Sequence, residues 1–201
     1  MLTLICPTYN RHQFLYRNCR FWDGQNGVTV LYADGSEIPV NPEYINATNV
    51  GYFHDISTYR QRLLALLDKV QTPYVCIMND DEFFIPSALH SCAAFLESNQ
   101  DYVACMGRGI SFSRSNGKVV FDNVYPLLQG RELSSELPIN RLKDHFSAYV
   151  PAHYYAVTRT DQYKRSMRRA LECDMDVYAI FELIEEFLVV SSGKSCVLPE
   201  L

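Results

Sequence analysis

The sequence lacks the spacings that mark metal clusters and redox pairs. Its seven cysteines (Cys6, Cys19, Cys76, Cys92, Cys105, Cys173, Cys196) are scattered over 201 residues, with no CxxC pair among them. An odd number of thiols, several within apolar runs, argues against a disulfide framework and predicts reduced, buried cysteines in a cytoplasmic protein. No HExxH or HxxxH spacing occurs, which argues against zinc. Lysine and arginine total 18 against 23 acids, a net charge of −5. The basic footprint of a nucleic-acid binder is therefore missing. No apolar run reaches the roughly 18 residues of a membrane span. The first residues also lack the basic and then apolar pattern of a secretory leader. Internal repeats and low-complexity tracts are absent.

What is present suits one packed domain over residues 1–201. Apolar residues make up 48% of the chain and aromatic residues 13%, ample for a core. Leu2–Cys6 reads as a strand ending at Pro7, with a turn over Thr8-Tyr9-Asn10-Arg11. A helix is expected over His12–Phe21, and a second strand over Val28–Tyr32 that ends at Ala33-Asp34-Gly35-Ser36. Strand, helix, strand is the opening of a βαβ fold. Residues 38–52 read as loop with at most a short strand. Ser57–Val70 is a helix with an apolar stripe from Ile56 to Val70 that leaves Arg60 and Arg62 off it. Pro86 suits the first turn of another helix, and Tyr102–Met106 is a further strand. Ser115-Asn116-Gly117-Lys118 signals a hairpin turn. Residues 122–150 show no period and are expected to be irregular. Tyr154–Val157 reads as a strand, followed by helices from Thr160 to Leu171 and from about Asp176 to Val190. The fold class is thus α/β, a mostly parallel sheet with flanking helices over about 1–105, and a more irregular α+β half over about 106–201.

The stretch with the most chemistry is Thr72–Pro86, TPYVCIMNDDEFFIP. An apolar run bounded by turn formers reads as a buried parallel strand. Asp80, Asp81 and Glu82 follow at its end, and three adjacent carboxylates cannot enter the core unpaired. They belong at the strand's carboxyl end, where open α/β sheets place ligands. Oxygen-only donors suit Mg²⁺ or Mn²⁺, an ion that completes its shell with substrate phosphates. The plainer alternative is an acidic loop capping the next helix.

Four of these stretches, in this order, resemble glycosyltransferase family 2, the inverting enzymes of GT-A (Rossmann-like) fold. They are Leu4-Ile5-Cys6-Pro7-Thr8-Tyr9-Asn10-Arg11, Ala33-Asp34-Gly35-Ser36, the Arg60/Arg62 helix, and Thr72-Pro73-Tyr74 leading to Asn79-Asp80-Asp81-Glu82. The resemblance covers residues 1 to about 96 and is loose beyond. It implies a sugar transfer from a nucleotide-diphosphate sugar, commonly a UDP-sugar, with Mn²⁺ or Mg²⁺ as cofactor. Pro7, Thr8 and Tyr9 would line the nucleotide pocket, Asp34 would accept from the base, and Arg60 or Arg62 would lie near base or diphosphate. The family's DxD motif would hold the ribose and the ion. Alignment on Tyr74 sets Asn79 and Asp81 at its two acids, and a reading one residue later gives Asp80 and Glu82. A subgroup with three acids before Phe fits this chain, with Asp81 first as metal ligand, Glu82 beside it and Asp80 toward the donor.

Inversion needs a base on the face opposite the leaving group. The resemblance implies one from the second half, and the candidates are Glu182, Asp176 and Asp174. Glu182 leads, as a carboxylate in the largely apolar run Val177–Val190, although a helical wheel also lets it face water beside Glu185 and Glu186. Asp174 and Asp176 could equally be helix caps. His145 and His153 could touch acceptor or diphosphate, or serve as structural hydrogen-bonding groups. Lys164, Arg165, Arg168 and Arg169 form a basic helix face that suits solvent, or at most peripheral contact with anionic lipid. The acceptor (saccharide, lipid-linked or protein) is open. The alternative function is a catalytically silent GT-A-like module binding a nucleotide sugar or a partner. A nucleotidyltransferase is weaker, since no glycine-rich loop follows the first strand.

Overall fold

A computed structural model describes residues 1–173 and 177–199. In chain order the elements are β1 (Leu2–Thr8), α1 (His12–Trp22), β2 (Val28–Asp34), β3 (Val50–His54), α2 (Tyr59–Lys69), β4 (Tyr74–Ile77), α3 (Pro86–Ser98) and β5 (Tyr102–Met106). A hairpin of β6 (Gly109–Ser115) and β7 (Lys118–Val124) follows. The chain then runs through β8 (Glu132–Leu133), α4 (Pro138–Ser147), β9 (Val157–Arg159), α5 (Thr160–Glu172), α6 (Tyr178–Ser192) and β10 (Lys194–Val197). None of the described helices is long and apolar enough to cross a membrane.

Eight strands form one sheet in the order β3-β2-β1-β4-β9-β5-β10-β8, and β6 and β7 stand apart as their own pair. Strands β1 to β4 are parallel, β10 is parallel to β5, and β9 runs antiparallel between β4 and β5. The α/β class with a mostly parallel central sheet is as the sequence implies.

Side chains alternate across β1 because successive residues of a strand face opposite sides. Leu2, Leu4 and Cys6 pack with Leu15, Cys19 and Trp22 of α1 and Leu89, Cys92 and Leu96 of α3. Ile5 faces the other layer, with Leu63, Leu66 and Leu67 of α2, Met167 and Ala170 of α5, and Phe181 of α6. Helix α2 starts at a capping box: the Thr58 hydroxyl accepts from Gln61 N, and the Gln61 side chain reaches back to the Thr58 N–H. Arg159 donates to the Leu96, Asn99 and Tyr102 carbonyls, which fastens β9 to α3 and β5. The hairpin turns at Asn116 and Gly117, both with positive φ (50° and 76°), as the Asn-Gly pair requires.

Four expectations need correction. Residues 138–147 form helix α4, hidden from a search for apolar period because its buried residues are Arg141 and His145. Residues 153–155 are a 3₁₀ turn, and the strand there is β9, shifted to 157–159. The sequence reading ended its elements at Val190, whereas Lys194–Val197 supply a further strand, β10. Arg62 faces inward, not off the buried stripe, whereas Ile56 is exposed.

Candidate active site

The carboxyl ends of β1, β2 and β4 bring the quoted motifs together. Strand β1 pairs with both neighbours, so Thr8 lies in register with Asp34 and Ile5 with Ile77. The chain leaves β1 through Asn10, whose positive φ (55°) makes the tight turn, and its N–H donates to Ser36 Oγ at 2.7 Å. Residues 26 or more apart in sequence thus share one rim.

Asp34 is fully buried. Its Oδ1 accepts from the N–H and hydroxyl of Ser36, and its Oδ2 accepts from Tyr52 at 2.7 Å. His12 Nε2 lies 3.7 Å from the same Oδ2. Asp34 thereby fixes the Asp34-Gly35-Ser36 turn. A Cβ at Gly35 would fall 2.2 Å from the Arg62 guanidinium carbon, so any larger residue there would displace the end of the Arg62 side chain. Arg62 lies against this turn and donates to the Ser57 carbonyl. Arg60 reaches elsewhere, donating to the Cys173 carbonyl at 2.5 Å beyond α5. A cleft of about 440 Å³ opens beside the turn after β1, lined by Asn10, Arg11, His12, Glu37 and Ile38. Pro7 is half-buried at the end of β1, and Tyr9 is exposed beside that rim.

The acidic residues differ from one another. Asp80 is buried, takes the Thr8 hydroxyl at 2.6 Å, and faces the Arg11 Nε at 3.2 Å. Burial raises its carboxyl, while the Thr8 hydrogen bond and the Arg11 charge lower it. Asp81 reaches solvent and pairs with Arg11 Nη2 at 2.6 Å. Glu82 is also raised, by desolvation first and by the charges of Asp81 and Asp80 after it. Its backbone is tied by an Asn18 amide on its carbonyl at 3.0 Å. Asn79 donates to the Tyr155 hydroxyl at 2.8 Å, and its hydrogen bonds to Glu82 oppose the rise of that carboxyl. In this geometry Asn79 links the acidic turn to the second half of the chain.

A divalent ion fits this rim in donor chemistry. Asp80 and Asp81 already converge on one cation, the Arg11 guanidinium, and Asp80 Oδ1 is buried without a well-formed hydrogen bond. Among the described residues no group of three His, Cys, Asp or Glu side chains could hold a metal unaided. One or two carboxylates completed by phosphate oxygens is the usual arrangement for Mg²⁺.

Glu182 is half-buried on α6. Burial raises its carboxyl, and the charges of Glu186 and Glu82 raise it further, so Glu182 and the acidic turn feel each other. The hydroxyls of Tyr125, Tyr155 and Tyr178 sense both Glu82 and Glu182. Asp174 and Asp176 lie outside the described residues. Glu185 and Glu186, expected in water, are buried instead. Glu186 accepts from Tyr154 N at 2.9 Å and lies 2.8 Å from His145 Nε2. His153 is buried with its Nε2 3.1 Å from Ser195 Oγ, a structural setting. Lys164 caps the Val70 carbonyl, while Arg168 pairs with Asp68 and Arg169 with Glu172, so the basic face of α5 is largely spent on its neighbours. Sequence reading passed over Arg11, Asn18, Tyr52 and Tyr155; only the polar turn after β1 hinted at the first.

No family model matches the sequence, and no curated protein is significantly similar to it in sequence. Solved structures do resemble the fold. TarS 1–349 of S. aureus in complex with UDP superposes with a TM-score of 0.68 at 14% identity, over 100% of this chain and 58% of that one. The same protein in complex with UDP-GlcNAc gives 0.65 at 12% identity, over 100% and 56%. The mannosyltransferase PcManGT of Pyrobaculum calidifontis, in complex with GDP-Man and Mn²⁺, gives 0.58 at 12% identity, over 98% and 54%. The chain thus spans little more than half the length of these neighbours. At such identities the likeness shows the fold, an α/β arrangement of GT-A type.

Proposed function

We propose that the protein is a metal-dependent glycosyltransferase of the family 2 kind, acting on a nucleotide-diphosphate sugar, with a UDP-sugar favoured, and inverting the anomeric centre. One observation carries this reading: Asp80, Asp81 and Glu82 share a rim with Thr8, Arg11 and the Asp34-Gly35-Ser36 turn, and Glu182 is close enough to sense Glu82. Neighbours of the same fold with UDP, UDP-GlcNAc or GDP-Man and Mn²⁺ support it.

The chain's own residues would divide the work. The cleft beside Asn10 and Glu37 would take the nucleoside, with Pro7, Thr8 and Tyr9 on its rim and Asp34 behind Ser36. Asp81, with Glu82, would hold the ion, and Asp80, set by Thr8, would orient toward the donor. When bound, a divalent ion supplies countercharge to the departing diphosphate. Arg62 would act by shaping the Gly35 turn. Glu182 would take the acceptor's proton; a carboxyl raised by burial is a better base than a free one.

A thermal-shift panel of UDP-, GDP- and dTDP-sugars, each with and without Mn²⁺, tests the reading. A ligand bound only by the native state adds about 2.7 kcal/mol of stability at a hundredfold excess over its Kd. A metal-dependent shift with one nucleotide class is expected. No shift with any donor would sink it. Arg11 already pairs with both aspartates, which favours a second reading, a silent GT-A-like binding module. That module would give the shift without sugar transfer or donor hydrolysis.

A further inference from the structure

We propose that Arg11 is the resident cation of the acidic rim: it holds Asp80 and Asp81 when no donor is bound and yields them to a divalent ion only when a nucleotide diphosphate arrives. The proposal rests on the donor-site reading above and adds to it an order of assembly and a residue that enforces it.

The geometry is specific. Arg11 spans two carboxylates, Asp81 through Nη2 at 2.6 Å and Asp80 through Nε at 3.2 Å. Its guanidinium stacks 4.3 Å from the Phe14 ring centre. The residue before it is anchored to the second motif by the Asn10 N–H to Ser36 bond. An isolated exposed ion pair contributes little. Here one guanidinium serves two acids, of which Asp80 is only 3% exposed. Arg11 also lines the 440 Å³ cleft, so it stands between the acids and the space a diphosphate would fill. Arg17 backs the turn from the far side, donating to the Asp81 carbonyl at 3.3 Å and stacking between Phe14 and Phe83.

A bare divalent ion entering this rim must displace Arg11 and then sit beside an unpaired guanidinium. Like charges at that distance repel, and among the cleft's lining residues only Glu37 offers Arg11 a carboxylate, one in place of the two it gives up. A nucleotide diphosphate removes the conflict. Its oxygens offer the planar guanidinium fork a new bidentate partner and offer the ion the rest of its shell. Ion and donor should therefore bind with positive coupling, and linkage makes that coupling equal from either side.

The test uses the whole chain as wild type, R11Q and R11K. Mn²⁺ binding without nucleotide is followed by the EPR signal of the free ion, and UDP binding with and without Mn²⁺ by calorimetry. In the wild type, Mn²⁺ should tighten UDP at least about fivefold, the low end of typical couplings. R11Q should bind Mn²⁺ alone at least about fivefold more tightly than wild type and show weaker coupling, keeping only the part that comes from phosphate oxygens on the ion. R11K keeps the charge but not the fork, and should fall between the two. The proposal is overturned if R11Q binds Mn²⁺ alone no better than wild type, if its coupling is unchanged, or if R11K equals wild type. In each of those cases wild-type UDP binding leaves the donor site standing. A wild type that binds no UDP would remove the donor site and this role together.

Discussion

The two sides of the sheet are held together by different chemistry. Around β1, β2 and β4 apolar residues from Leu4 and Ile5 to Trp22, Leu63 and Leu67 form continuous buried layers, and the buried polar groups Thr8, Asp34, Ser36 and Asp80 gather at the carboxyl ends of the strands. Around α4 and α6 charged groups share the interior with Phe181, Val189 and Val190. Arg141, His145, His153, Glu185 and Glu186 are buried, while Leu137, Ile139, Ile180, Leu183 and Phe187 are exposed. Arg141 donates to the Ser135, Val190 and Ser191 carbonyls, which ties the start of α4 to the end of α6. Apolar burial is proportional to area and tolerates any neighbour, whereas polar burial depends on each partner being present. The first region should therefore fail when it loses volume, and the second when it loses a partner.

The sharpest test of that contrast is Trp22→Ala. Trp22 is wholly buried against α1, α3 and the sheet, and its loss should cost about 3–5 kcal/mol in urea unfolding. A cost below 1 kcal/mol would mean that the core collapses around it. In the second region, His145→Ala should cost nearly as much, about 3 kcal/mol, because it strands Glu186 without its imidazole. The double variant with Glu186→Gln, which keeps an acceptor for the Tyr154 N–H, should recover part of that loss; if it does not, the Glu186 charge is not what His145 supports.

Glu182→Gln isolates chemistry from folding. The half-buried residue should keep its melting temperature and its donor binding, with kcat reduced by about 10²–10⁴. Unchanged turnover would move the base elsewhere, with Asp176 and Asp174 next. Asp81→Asn should leave the fold intact, since Asp81 is solvent-exposed, and abolish Mn²⁺-dependent donor binding in the thermal-shift panel.

The smallest effect is a pH slope of mixed sign. Burial raises Glu185 well above the usual carboxylate range, with the charges of Glu186 and Glu182 adding to it. The folded state then holds a proton that the unfolded chain releases near its ordinary value, so this term loses stability as pH rises. His153 works oppositely. Burial first, then the charges of His145 and Arg131, push it down to about 3, so stability is lost as pH falls from about 6.5 toward 3. Glu185→Gln should flatten the loss at high pH, and His153→Phe the loss at low pH, both read from urea midpoints across pH 4 to 9. Parallel curves for wild type and both variants would refute the assignment.

Legibility followed the same division. Strand β1, helices α1 to α3, strand β5 and the Asn116-Gly117 hairpin could be read because apolar period and turn residues act locally. Helix α4 could not, since a search for an apolar stripe discards a helix whose inward residues are Arg141 and His145. On α6 the same rule sent Glu185 and Glu186 to water, and the structure buries both. The acidic turn was legible as a site, but its internal order was not. Asp80 as the buried acid, Asp81 as the exposed one and Asn79 as a tie to Tyr155 all depend on residues tens of positions away.

By itself the sequence determined the α/β class, the first half of the sheet and the place of the acidic turn at a strand end. These follow from hydrophobic period and from the cost of burying unpaired charge, which neighbours in sequence suffice to impose. Only the tertiary structure decided that Arg11 bridges two acids, that Arg62 packs on Gly35, and that α4 and α6 bury charged side chains. A charged group may be buried wherever partners converge on it, and that convergence is a property of three-dimensional packing.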